Sequence, residues 1–235
     1  MTAARLVVAL EPDEEDLALL EGYARLAAEL RRELVALLLD DPGFGHALSL
    51  PFVRLQPRTA AVAVEIGPSA ARHALKLFRA RAESRLGEAC GRLEVRWQLS
   101  VAGSLPVPGS GDILVLGPRG GRAGLPGGTA CPVVLVRRAG RSIAVLYDGT
   151  AGTLELAAAL ARREQLPVAV LIPEGDAAAA RRLAAEAAAV FGPASLVPGS
   201  GADALAKLAE LRPRAVVVDA CNASLRLADV MAALA

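Results

Sequence analysis

Few side chains in this sequence of 235 residues have the type and spacing to do chemistry. There are two histidines, His46 and His73, and three cysteines, Cys90, Cys131 and Cys221, far apart and in no C-x-x-C pair. Zinc coordination and histidine acid–base catalysis therefore have almost no raw material, and no metal site is expected. The cysteines read as small buried thiols of a reducing compartment. Ser104, Ser110 and Ser200 sit in Gly/Pro loops without a His–Asp pattern, so no nucleophile and no catalytic residue is expected. Phosphate binding is the remaining chemistry. Residues 117–130 are glycine-rich and contain Gly117, Arg119, Gly120, Arg122, Gly128 and Thr129. Backbone N–H groups in such a turn can point at a phosphate, with the arginines adding charge. The segment holds no lysine, which excludes a P-loop, and a plain loop replacing a helix is the competing reading. Asp148, followed by Gly149 and Thr150, fits a ribose or adenine contact, or simply a turn or helix cap between strand and helix.

The elements that must position these residues alternate. Residues 5–10 (R-L-V-V-A-L) form a short apolar run of the buried parallel type. Glu11, Pro12 and Asp13 then open a helix, where Glu14 and Glu15 favour the N-terminus, and residues 33–39 give a second strand. Periodicity fails over residues 41–68, with 59–66 a candidate extra strand. A helix is expected over 69–90, ending near Gly87 or Gly91. Strands follow at 93–101, where Trp97 reads as packing, and at 112–116 and 132–136. After a basic joint at 137–141 the pattern restarts. Strands are expected at 142–147, 168–172, 194–197 and 215–219, with helices at 150–164, 176–191, 202–211 and from 223 onward. The second half repeats the first at an offset of about 137 residues, the mark of internal duplication.

Composition sets the class. Lys+Arg of 26 against Asp+Glu of 25 leaves a net charge of +1, too balanced for an electrostatic nucleic-acid binder. The 54% hydrophobic content excludes a disordered chain. The longest charge-free stretch, residues 187–202, is broken by Gly and Pro, so neither membrane insertion nor a signal peptide is expected. The expected fold is α/β: two tandem doubly wound parallel-sheet domains, residues 1–139 and a truncated 140–235, in the cytoplasm.

Two segments of the chain also carry a resemblance. The strand–Asp148–Gly149–Thr150–helix sequence resembles the opening of universal stress protein domains. Gly117-Pro118-Arg119-Gly120, then Gly128-Thr129, then Cys131-Pro132-Val133 resemble that family's closing segment. The resemblance implies an adenine nucleotide alpha hydrolase-like fold and an ATP or AMP site drawn from Gly117, Arg119, Gly120, Gly128, Thr129 and Asp148. The sequence departs from the pattern in both halves. Glu11-Pro12-Asp13 stands where the family has Asp-Gly-Ser, and the second half offers Asp219-Ala220-Cys221-Asn222 without glycine. With both sites incomplete, the expectation is a non-enzymatic regulatory or stress-response protein acting through protein contacts, without a cofactor. The alternatives are an ATP- or AMP-binding member with slow hydrolysis, and a cytosolic accessory partner of a membrane transporter. The second half lacks a counterpart of Pro132–Val136. That leaves one sheet edge unmatched, so a homodimer is expected.

Overall fold

A computed structural model describes residues 4–39, 68–109, 111–117, 129–137, 139–150, 152–222 and 225–234. Its strands are β1 (Arg5–Leu10), β2 (Glu33–Leu39), β3 (Trp97–Ala102), β4 (Ile113–Leu116), β5 (Pro132–Val136), β6 (Ile143–Leu146), β7 (Val168–Pro173), β8 (Leu196–Gly199) and β9 (Ala215–Asp219). The helices are α1 (Glu14–Glu29), α2 (Pro68–Leu93), α3 (Thr153–Glu164), α4 (Ala177–Phe191), α5 (Gly201–Leu211) and α6 (Leu227–Leu234). The expected strand at 59–66 lies outside the described residues.

All nine strands form one sheet in the order β3-β2-β1-β4-β5-β9-β6-β7-β8. Within β3-β2-β1-β4-β5 and within β9-β6-β7-β8 every pairing is parallel. Both halves are thus doubly wound: order 3-2-1-4-5 in the first is echoed by 8-7-6-9 in the second. They meet edge to edge through β5 and β9, which pair antiparallel from Pro132↔Asp219 to Val136↔Ala215. The edge expected to stand open is therefore filled from within the chain, and the reason given for a homodimer falls away. Strand β5 serves as the fifth strand of its own half and as the missing neighbour of the other.

Apolar runs without alternation need cover on both faces. Helices α1, α2, α3 and α4 pack on one core, around Leu6, Val8, Leu17, Leu20, Leu86 and Leu156. Helices α5 and α6, with Leu105, pack on the other, around Val7, Val133, Leu208 and Val230. Among the described residues no helix is long and apolar enough to cross a membrane.

Helix ends depart from expectation in one consistent way. Helix α2 runs through Gly87 and Gly91 and stops only at Glu94, which takes a left-handed φ of 54°. Arg31, Gln165 and Arg212 turn the chain out of α1, α3 and α5 in the same left-handed region, at φ 52°, 52° and 43°. Trp97 packs as expected, its ring 3.8 Å from where a Cβ on Gly87 would lie. Glycine is required at the joint between halves. Gly140 has φ 157°, and a Cβ there would come within 2.2 Å of the Arg214 backbone nitrogen. Arg137 N–H donates to Arg214 O at 2.8 Å, and Arg214 N–H to Ser142 O at 2.7 Å, so the joint is tied to the start of β9.

Candidate functional site

In a doubly wound sheet the ligand crevice lies at the carboxyl ends of the strands, where the winding reverses. The first half reverses between β1 and β4, the second between β6 and β9. Because β5 and β9 are antiparallel, the two crevices open at opposite edges of the sheet.

The first crevice is built from Glu11, Pro12, Asp13 and Asp16 after β1 and Gly117 after β4. Asp13 caps α1, its Oδ1 accepting from Asp16 N–H at 2.8 Å. Asp16 then turns inward. It is 3% exposed, and its Oδ2 accepts from Glu11 N–H at 2.6 Å. Its Oδ1 lies 2.9 Å from the position a Cβ on Gly117 would take, so the missing side chain at 117 makes room for this carboxylate. With Glu14, Glu15 and Asp16 in the first turn, the helix end that would face a phosphate is already lined with acids. Glu14 is paired with Arg81 of α2, which holds its carboxyl below the usual range.

The second crevice joins the end of β6 to the end of β9. Asp148 Oδ1 accepts from Thr150 N–H at 3.1 Å and from Thr150 Oγ1 at 2.7 Å, so Asp148 takes the turn role. The turn relies on Gly149 at φ 96°, with Leu183 of α4 lying 3.1 Å from the Cβ site. Across from it, buried Asp219 accepts from Cys221 N–H at 2.7 Å, and Asn222 Oδ1 accepts from Leu225 N–H at 2.9 Å. Thr129 arrives here as well: its carbonyl accepts from the Cys221 thiol at 3.5 Å, and Ala220 N–H donates to Cys131 O at 3.1 Å.

The expected nucleotide residues are thus divided between edges. In the β4–β5 register Gly117 is level with Val136, so Thr129 lies seven residues back, about 20 Å away along the strand. Thr129 and Asp148 share the second crevice, two strand spacings or ~10 Å apart across β9. Arg119, Gly120 and Gly128, with Arg122, lie outside the described residues. Asp16 is not among the residues expected at the site. Its signal is the acid three residues after a helix-capping Asp, which can reach back toward the strand end.

The cysteines divide too. Burial pushes the Cys90 thiol up to about 11 and that of Cys131 up to about 12, but Cys221 is exposed, not buried as expected. Ser200 is engaged in capping α5 through Asp203 rather than poised for attack. Among the described residues no group of three or more His, Cys, Asp or Glu could hold a metal ion. A cavity of about 30 Å³ lies between α1 and α3, beside Tyr23, Arg163 and Arg214, with room for about one water molecule.

Fold and site together define an α/β protein of two doubly wound halves sharing one sheet, with a polar-lined crevice at each edge. No protein-family model and no curated protein matches the chain. Among solved structures it is similar to a universal stress protein from Archaeoglobus fulgidus DSM 4304, at 13% identity and TM-score 0.39 over 91% of this chain and 95% of that one. It is also similar to a protein assigned to the universal stress proteins from Pseudomonas aeruginosa UCBPP-PA14, at 15% identity and TM-score 0.48 over 90% and 80%.

Proposed function

We propose that this chain is a non-enzymatic regulatory protein of the universal stress protein type, acting in the cytoplasm through protein contacts and without bound nucleotide. The observation that carries the reading is the buried Asp16 carboxylate beneath Gly117. A helix N-terminus favours an anion by about 0.3–1 kcal/mol, rising to ~2 when partly buried. A carboxylate 4 Å from a phosphate oxygen opposes it by about 4 kcal/mol at the effective dielectric of a protein surface. Repulsion wins, and α1 already has acids of its own in that place. In the second crevice, Asp148 and Asp219 are spent on backbone N–H groups of their own turns, and both add negative charge where a nucleotide would sit.

Titration calorimetry with ATP and with AMP, each with and without magnesium, tests this reading. No heat of binding is expected from any of the four. A dissociation constant of about 1 μM or tighter, worth ~8 kcal/mol, would overturn it in favour of a nucleotide-binding member.

A further inference from the structure

With β5 and β9 paired to each other, the sheet ends at β3 on one side and β8 on the other. The two ends are unlike. Strand β8 is four residues, L-V-P-G, and Pro198 removes a donor and blunts further pairing. Strand β3 is six residues, W-Q-L-S-V-A, with no proline, glycine or charge. Its ladder with β2 fixes which groups are spent. Leu34 N–H donates to Arg96 O at 2.9 Å while standing in register with Trp97. In a parallel ladder that arrangement turns the flanking residues Arg96 and Gln98 toward β2 and Trp97 away. By alternation, Trp97, Leu99 and Val101 direct their N–H and C=O groups outward. Among the described residues nothing pairs with them.

We infer that β3 is the self-association edge of this protein, pairing antiparallel with β3 of a second copy about a twofold axis through Leu99. The strand is complementary to itself in that register. Each copy's three outward N–H groups meet the three outward C=O groups of the other, with Leu99 opposite Leu99 and Trp97 opposite Val101 of the second copy. An aromatic opposite a β-branched residue is a favourable cross-strand pair. Val101 is 41% exposed, so the contact covers apolar surface that the monomer leaves in water. With no charge on the strand, no like charges are brought face to face when two copies meet in this register. The inference goes beyond the proposed function and stands without it, since calorimetry with nucleotide tests the one and sedimentation the other.

The experiment is sedimentation velocity over a concentration series on the full chain and two variants, with amide hydrogen exchange on the wild type. Leu99→Pro removes an outward N–H while leaving the β2 ladder whole, and Val101→Lys sets a charge beside the axis. Expected are a concentration-dependent dimer in the wild type, protection at Trp97, Leu99 and Val101 that rises with concentration, and a dissociation constant raised at least about tenfold in each folded variant, the equivalent of one or two net hydrogen bonds. Should one variant fail to fold, the other and the exchange data decide. A monomer at all concentrations overturns the inference, as does a dimer that survives both substitutions. So does protection at these amides that is independent of concentration, or that arises only when a foreign extended peptide is added.

Discussion

Asp112 provides the sharpest test of how the first half is held. Its side chain is 6% exposed and serves three donors: the Arg5 guanidinium at 2.5 Å, Arg5 N–H at 3.0 Å and Gly109 N–H at 2.8 Å. It thereby fastens the loop before β4 to the start of β1. Asp112→Ala leaves two backbone N–H groups in a part-buried setting without their acceptor. The guanidinium, at 37% exposure, can turn to water, so its loss is discounted. Orphaned donors cost about 1–3 kcal/mol each, and partial access to water puts the sum at roughly 2–4 kcal/mol. For a chain of this size that is a fall in melting temperature of about 5–15 °C. Urea unfolding followed by far-ultraviolet circular dichroism measures it, and a loss below about 1 kcal/mol would refute the clasp.

The acid limb gives a second readout of the same residue. Burial pushes the Asp112 carboxyl up, but the hydrogen bonds from Arg5 and Gly109 outweigh it and hold it below the ordinary range. A depressed folded value means that the stabilisation is complete above the unfolded-chain value of about 4 and is lost as pH falls through the lower folded one. Wild type should therefore lose stability relative to Asp112→Asn as pH drops below about 5, and parallel acid limbs would show that the carboxylate charge contributes nothing.

Two further outcomes follow from the joint and the thiols. Gly140→Ala forces a Cβ against the backbone of Pro213 and Arg214 at a φ that side chains rarely adopt, and should cost roughly 2–4 kcal/mol in the same unfolding assay, where a neutral substitution would contradict the geometry. Titration with an aromatic disulfide reagent at pH 8 should label Cys221 rapidly and Cys90 and Cys131 only on unfolding, because burial raises the latter two; three thiols reacting at one rate would disprove their placement.

Much of the fold is legible in the sequence because doubly wound halves announce themselves locally: short apolar runs, turn residues and helical stripes. The 137-residue offset reappears in space as matching strand orders, 3-2-1-4 and 8-7-6-9. Helix ends are less legible. Arg31, Glu94, Gln165 and Arg212 adopt the left-handed conformation usually signalled by glycine, whereas Gly87 and Gly91 remain helical. The candidate site is legible only in its parts. Nothing local tells that Gly117 lies at one crevice and Thr129 at the other, because the direction of β5 relative to β9 is a long-range matter. Strands buried on both faces carry no alternation from which register could be read. Asp16 escapes notice for a similar reason: an acid in a first helical turn is ordinary, and only tertiary placement turns it beneath Gly117.

That same seam decides where the two crevices open. Had the halves joined with their strands all parallel, both crevices would open on one edge and a single ligand could bridge them. The antiparallel step at Val133↔Val218 and Val134↔Val217 sends them to opposite edges instead. Val133, Val134, Val217 and Val218 are fully buried, so separating the halves at this step would expose the middle of the sheet. Each burial contributes about 1.5–3 kcal/mol, which fixes the arrangement far more firmly than any loop contact could. The halves are tied further by the α1–α3 contact, where Arg163 donates to Gly22 O at 2.6 Å and Arg162 reaches Glu29 at 2.7 Å. The buried seam and the helix contact together hold the two crevices apart, at opposite edges of one sheet.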